Sequence, residues 1–248
     1  MIKNEILALI IPIYYEEKNI PDLLEEVSKK IKIPIKLYFV YDLEEDPTLV
    51  VLKSLLKKYN LNFSLIKNNY GRGALNAIRT GIEIFEEEAC VIVMGDCSDD
   101  PNDILEYIKY LDEGYDCVFG SRFMAGSKLN NYPFVKLIFN RLANNLIRVL
   151  FFIKYNDITN AFKAYNKKVL DKCGPIISQH FNINAELSLK SIIRGFRYKV
   201  IPISWTNRKE GISKFKIKEM RNRYFFTILY VLLEKFLLKK DIYKDNKY

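Results

Sequence analysis

VIVMGDCSDDPND, residues 91–103, runs four apolar residues into a glycine and then places Asp96, Asp99, Asp100 and Asp103 close together. A run of this kind reads as a buried strand that stops at a polar edge. Carboxylates gathered there repel one another unless a cation sits among them. A helix start accounts for part of the run. Asp99, Pro101 and Asp103 can cap and open the helix NDILEYIKYL, because Asp, Asn and Pro are favoured at helix N-termini. Asp96 precedes that cap and asks for another reason.

Working outward, residues 6–11, 35–41, 62–66, 90–94 and 116–119 read as short strands rich in Val, Ile, Phe and Leu. Helical patterns at 20–30, 48–59, 74–87 and 102–113 lie between them. Alternation of this kind predicts an α/β fold with a mostly parallel sheet and helices on both faces. Ligands in such sheets bind beyond the carboxyl ends of the strands, which puts Tyr14, Asp42, Gly71–Gly73 and Asp96 along one rim. From residue 121 the pattern changes to a helix at 134–152, a polar stretch TNAFKAYNKKVL, a helix at 185–195 and a strand YKVIPISW. A basic loop, TNRKEGISKFK, then leads to a last helix at 217–239. With no repeat and no Gly/Ser linker, the second half is expected to complete a site begun by the first.

The 248 residues are 49% hydrophobic, enough to bury a core without metals or disulfides. Cys90, Cys97, Cys117 and Cys173 have no CxxC spacing, so neither a zinc site nor a disulfide framework is expected, and a reducing compartment suits them. The apolar run Ile6–Ile13 is followed at once by acidic residues, which fits a first strand and not a signal peptide or membrane span. The net charge of +9 is divided unevenly: residues 1–120 hold 13 basic against 22 acidic side chains, and residues 121–248 hold 26 against 8. Nucleic acid, an anionic membrane surface, a polyanionic substrate or a plain lysine-rich solvated surface would each account for the basic half. Basic residues here are not interleaved with aromatics as a stacking platform for nucleic acid requires, so a non-catalytic nucleic-acid module is the weakest of these readings.

IIPIYYEEKNI (10–20) resembles the IIPTYNEEENI opening of glycosyltransferase family 2. Further matches follow in the same order: FVYD (39–42), NNYGRG (68–73), MGDCSDDP (94–101), GSRF (120–123), DITNAFKAY (157–165), and VIPISW (200–205) with RKEGISKFK (208–216). The last three are similar to the dolichyl-phosphate mannosyltransferase and polyprenyl-phosphate glycosyltransferase group, and the likeness covers residues 6–219. It implies a GT-A fold, a Rossmann-like domain that binds a nucleotide-diphosphate sugar and transfers the sugar with inversion. Residues 1–120 are expected to form the nucleotide-sugar half and 121–220 the acceptor half of that domain, with 221–248 an amphipathic C-terminal helix and tail.

A sugar leaving a nucleotide diphosphate needs its phosphates neutralised by a divalent cation, Arg/Lys or backbone N–H groups. Asp96 can hold Mg²⁺ or Mn²⁺ through a hard oxygen. In the family pattern Asp-x-Asp, Met94 takes the first aspartate's place; a thioether is a poor ligand for Mg²⁺, so Ser98, Asp99 or water must supply the further oxygen. The resemblance places Pro12, Tyr14, Glu16 and Asp42 on the donor nucleotide. Gly71, Arg72 and Gly73 can bring backbone and guanidinium to phosphate ahead of a helix, or can be a turn only. By the same resemblance Arg122 faces the donor or acceptor phosphates, and Arg208, Ser213 and Lys214 belong to a loop that looks like the one closing over the diphosphate. Asp157, Asn160 and Glu186 fall on the acceptor side, or are structural.

A sugar hydroxyl would need a general base, whereas a lipid phosphate is already an anion near neutral pH. A polyprenyl phosphate acceptor is therefore expected, with transfer to a glycan hydroxyl in surface-polysaccharide assembly as the alternative. Tyr224–Leu238, flanked by Arg221, Arg223, Lys239 and Lys240, is too short and too charged to span a bilayer, which takes ~20 apolar residues. It suits a helix lying in the headgroup layer, or an ordinary buried helix. The expected location is cytoplasmic, peripheral on the cytoplasmic face of the membrane; oligomeric state has no signal in the sequence.

Overall fold

β1 (Leu7–Ile13) is buried at every position, and its side chains alternate between two cores. Leu7, Leu9, Ile11 and Ile13 join the cluster beneath α1 (Ile20–Lys30), α2 (Pro47–Tyr59) and α4 (Asp103–Asp112). Ala8 and Ile10 join the other, beneath α3 (Ala74–Ile84), α5 (Phe134–Phe151) and α7 (Ile183–Ile193). A strand turns successive side chains to opposite faces, so one covered on both sides must be apolar throughout. The computed structural model describes residues 6–178, 182–208 and 217–237.

β2 (Ile35–Tyr41), β3 (Asn62–Lys67), β4 (Ala89–Ile92), β5 (Cys117–Ser121) and β8 (Tyr198–Pro202) run parallel to β1. β7 (Lys163–Asn166) is antiparallel to both its neighbours, and the order across the seven-stranded sheet is β3-β2-β1-β4-β7-β5-β8. Because β1 has β2 on one side and β4 on the other, a crevice opens beyond their carboxyl ends, where ligands bind in sheets of this type. β6 (Lys128–Asn130) and β9 (Ser204–Thr206) form a small parallel pair, and α6 (Lys167–Lys172) follows β7.

Two stretches differ from the sequence reading. TNAFKAYNKKVL is not merely polar: it contains β7, with Lys163 wholly buried. YKVIPISW is two strands in two sheets, because after Pro202 the backbone N–H of Ser204 donates to Asp103 Oδ2 at 2.7 Å and turns the chain towards β6. The cysteines are unpaired, three of them buried.

α8 (Ile217–Leu237) has two apolar sides. Thr227, Val231 and Glu234 are buried, and Glu234 Oε1 meets Arg194 of the α7 C-terminus at 2.7–2.8 Å. Phe225, Phe226, Leu229, Leu233 and Phe236 point outward. No helix among the described residues is long and apolar enough to cross a membrane.

Candidate active site

The turn leaving β1 is held by the start of α2. Asp46 caps that helix through the Thr48 N–H (2.8 Å) and also accepts the N–H of Tyr15 (2.9 Å), while Thr48 Oγ1 accepts the N–H of Glu16 (2.8 Å). Pro12 is thereby buried at the strand end, with Tyr14 and Glu16 half-buried on the rim. After β2, Asp42 accepts from Asn68 Nδ2 (2.7 Å) and from the N–H of Gly73 (2.8 Å). Asp42 thus shapes the Gly71–Gly73 turn before α3, and Gly73 sits at φ +132°, a region that favours glycine. Arg72 is exposed on that turn.

In the acidic run each carboxylate has a separate partner. Asp100 Oδ1 accepts the N–H of Asn102 (3.0 Å) and lies 3.3 Å from Lys30, so the turn into α4 is made by Asp100 and not by Asp99 or Asp103. Asp103 holds Ser204; burial pushes its carboxyl up to about 6. Asp99 accepts the N–H of Met94 (3.4 Å) and bridges to Trp205; burial and the negative charge of Asp96 push it up to about 7. Asp96 is nearly buried. Its Oδ1 accepts the N–H of Ser98 (3.1 Å), and its Oδ2 lies 2.8 Å from Arg208 Nη2. Burial also raises the pKa of Glu16, against the hydrogen bond from Asn19, and Asp96 adds to the rise. Of these carboxylates Asp96 therefore does meet a cation on the rim, and in this structure it is Arg208.

Asp96, with Ser98 and Asp99 beside it, offers oxygens of the kind a hard divalent cation prefers. Among the described residues no group of three or more His, Cys, Asp or Glu side chains could hold a metal. Such a site would be completed by ligands from outside the chain.

Arg122 follows β5 and is held on Asp157: Nε and Nη2 reach the carboxylate at 2.8 and 2.7 Å, and the Arg122 backbone N–H adds a third bond at 2.9 Å. Asp157 is 0% exposed, so its role is to aim this guanidinium. Asn160 donates to Gly120 O (3.2 Å), Tyr155 Oη donates to the same oxygen (3.0 Å), and Asn156 accepts from Ser121 Oγ (2.5 Å). The 155–160 segment thus saddles GSRF. A Cβ at Gly120 would lie 2.3 Å from Tyr107 Oη, so only glycine fits there. Glu186 is elsewhere in role. Its oxygens accept the N–H groups of Ile177 (2.9 Å) and Ser178 (2.8 Å) and pair with Lys190 (2.7 Å), organising the chain before α7. Ser213 and Lys214 lie outside the described residues.

Two lysines join the site that the sequence does not mark as site residues, although Lys136 belongs to a helix whose basic and apolar residues interleave. Lys136, in the first turn of α5, lies over the Tyr132 and Trp205 rings (5.5 and 5.9 Å). Burial lowers its pKa, and the nearby positive charges of Arg122 and Arg208 lower it further. Its only sequence signal is a charge at the start of an apolar helix. Lys163 donates to Ile158 O and Asn184 O (2.8 Å each) and to Ser188 Oγ (2.7 Å), tying the residue after Asp157 to α7. Three cations, Arg122, Lys136 and Arg208, thus converge on one rim, an arrangement suited to phosphate.

The model of the family described as glycosyl transferase family 2 matches residues 8–174. The chain belongs to glycosyl transferase family 2. This family 2 glycosyltransferase is 26% identical over 227 residues to a polyprenol monophosphomannose synthase of Mycolicibacterium smegmatis, covering 88% of this chain and 83% of that protein. It is 26% identical over 219 residues to a dolichol-phosphate mannosyltransferase of Pyrococcus furiosus, covering 85% of this chain and 59% of that protein. Among solved structures, the glucosyl-3-phosphoglycerate synthase of Mycobacterium tuberculosis, in complex with Mn²⁺, uridine diphosphate and glucosyl-3-phosphoglycerate, superposes with a TM-score of 0.69 at 12% identity. That match covers 94% of this chain and 81% of the other. The fold is GT-A, as the sequence motifs imply.

Proposed function

We propose that this glycosyltransferase moves a sugar, with inversion, from a nucleotide-diphosphate sugar to a polyprenyl phosphate. The observation that carries the reading is the convergence of Arg122, Lys136 and Arg208 opposite Asp96, on the rim where β1, β4 and β5 end. The donor diphosphate and the acceptor phosphate both bring negative charge there. The names of the two curated relatives point to the same acceptor class. Asp157, a carboxylate that a hydroxyl acceptor could have used as a base, is held by Arg122 instead. A phosphate oxygen needs no base: it forms the new bond to the anomeric carbon while the bond from that carbon to the diphosphate oxygen breaks, and the electron pair leaves with the nucleotide diphosphate.

In this reading Pro12, Tyr14, Glu16, Asp42 and the Gly71–Gly73 turn with Arg72 seat the nucleotide. Arg122, Arg208 and Lys214 neutralise phosphate, with Ser213 beside them and Lys136 on the acceptor side. Asp157 and Asn160 serve the acceptor side through the Arg122 guanidinium and the Gly120 carbonyl they hold, and Glu186 takes the structural role. Mg²⁺ or Mn²⁺ would be held by Asp96, with Ser98 or Asp99 and the diphosphate completing its oxygens. A cation so bound supplies charge stabilisation to the departing diphosphate.

Residues 1–220 are read as the catalytic domain and 221–248 as its docking element on the cytoplasmic membrane face. α5 exposes Phe134, Val135, Phe139, Leu142 and Leu146, and α8 adds its outer face. Lys136, Arg141 and Arg148 lie on the same helix, and basic side chains beside an exposed apolar face suit anionic headgroups. A donor screen of nucleotide sugars with a short polyprenyl phosphate, run beside a glycan acceptor, tests the reading through nucleotide diphosphate release. Release that depends on the glycan and ignores the polyprenyl phosphate would favour the hydroxyl alternative. Vesicle co-sedimentation is expected to rise with anionic lipid and fall with salt; indifference to both would remove the membrane surface from the account.

A further inference from the structure

Arg208 is assigned to phosphate by the reading above, yet its guanidinium lies 2.8 Å from Asp96 Oδ2. The other oxygen, Oδ1, already accepts from the Ser98 N–H. Arg208 therefore stands on the oxygen that Asp96 has left to offer a metal. We propose that Arg208 is a placeholder for the divalent cation, so that the metal enters together with the diphosphate and not ahead of it. The proposal rests on the reading of Asp96 as the metal-holding carboxylate.

Three features of the rim support it. Asp96 is 5% exposed beside Asp99 and Glu16, where an uncompensated negative charge is costly, and Arg208 supplies the compensation. The pair is built to exchange, since among the described residues a single ion contact holds an arginine whose side chain is 28% exposed and which Lys136 repels. Finally, with no cluster of three ligating side chains among the described residues, a metal arriving alone would meet one carboxylate already engaged by an arginine. A diphosphate changes both terms at once: its oxygens complete the metal's shell, and they give Arg208 a new anionic partner.

Mn²⁺ binding, followed by the electron paramagnetic resonance signal of the free ion, distinguishes the possibilities. The proteins are wild type, Arg208→Ala and Asp96→Asn, each checked for folding by thermal unfolding, without nucleotide and with UDP and GDP in parallel. Without nucleotide, Arg208→Ala is expected to bind Mn²⁺ about tenfold more tightly than wild type, the equivalent of one charge-assisted contact no longer competing. With the nucleotide that binds, the order inverts, and Arg208→Ala holds the Mn²⁺–nucleotide complex more weakly because the guanidinium is missing from the phosphates. Asp96→Asn loses Mn²⁺ in both conditions. If Arg208→Ala binds Mn²⁺ no better than wild type without nucleotide, or if neither binds it, while Asp96→Asn still loses nucleotide-linked Mn²⁺, the placeholder is wrong and the metal reading stands. If Asp96→Asn keeps nucleotide-linked Mn²⁺, the metal reading itself fails and takes the placeholder with it.

Discussion

Arg122 and Arg208 reach the same rim, and each meets an aspartate, but the two pairs are built differently. Arg122 lays two side-chain nitrogens and its own backbone N–H on Asp157, with both partners buried. Among the described residues Arg208 makes one ion contact, with Asp96, and stays partly in solvent. Identical residue types thus give a fixed guanidinium in one place and an exchangeable one in the other. What separates them is the number of hydrogen bonds and the burial of the arginine, because a buried bidentate pair cannot lose a partner without stranding a charge, whereas a partly exposed arginine on a single contact can turn to water.

The largest expected effect comes from breaking the fixed pair. Asp157→Ala leaves the Arg122 guanidinium buried without its carboxylate and should lower unfolding free energy by about 3–5 kcal/mol, read from denaturant midpoints. Arg122→Lys keeps a charge but loses the fork geometry. If the guanidinium contacts phosphate in the transition state, the transfer rate should fall by about 2–4 kcal/mol, or roughly 30- to 1000-fold, in a single-turnover assay. A rate within threefold of wild type would return Arg122 to a structural role.

Next in size is a pH effect beside the exchangeable pair. Asp99 has its carboxyl raised to about 7 by burial and then by Asp96. The folded protein therefore binds that proton more tightly than the unfolded chain, whose aspartates titrate near about 3.9. The stability this contributes is complete below that value and is lost as pH rises towards about 7, at about 1.4 kcal/mol per pH unit across that window. Metal-free protein should thus lose stability from pH 4 to 7 by this contribution, and Asp99→Asn should remove it. Comparing the slopes of wild type and variant over that range checks the sign. The smallest effect is expected from Asp96→Ala: unfolding free energy within about 1 kcal/mol of wild type, since Arg208, 28% exposed, can turn to water when its partner is gone and a repulsion with Asp99 is relieved. A loss as large as that of Asp157→Ala would erase the distinction between the pairs.

The parallel half of the sheet is legible in the sequence because β1, β2, β4 and β5 are continuous apolar runs between amphipathic helices. β7 is hidden by Lys163, whose charge breaks the apolar pattern that marks a buried strand and whose partners lie on the 158 carbonyl and on α7. The β8–β9 division is hidden for a similar reason, since the bond that turns the chain comes from Asp103, far away in sequence. At the site, Asp96, Asp42 and Arg122 stand out because each trails a strand or sits in a motif. The structure adds what holds them: Asp157 lies 35 residues from Arg122, and no local pattern announces that they meet. Lys136 reads as a helix charge until Trp205 and Tyr132 are packed against it.

The central claim is that the acceptor is a phosphate on a polyprenyl chain, and the product decides it. The protein is incubated with the nucleotide sugar it binds, Mn²⁺ and a short polyprenyl phosphate, and the lipid fraction is weighed by mass spectrometry. The account predicts a lipid heavier by one glycosyl unit with its phosphate retained, formed in step with nucleotide diphosphate. An unmodified lipid, with nucleotide diphosphate released equally in its presence and absence, would contradict it.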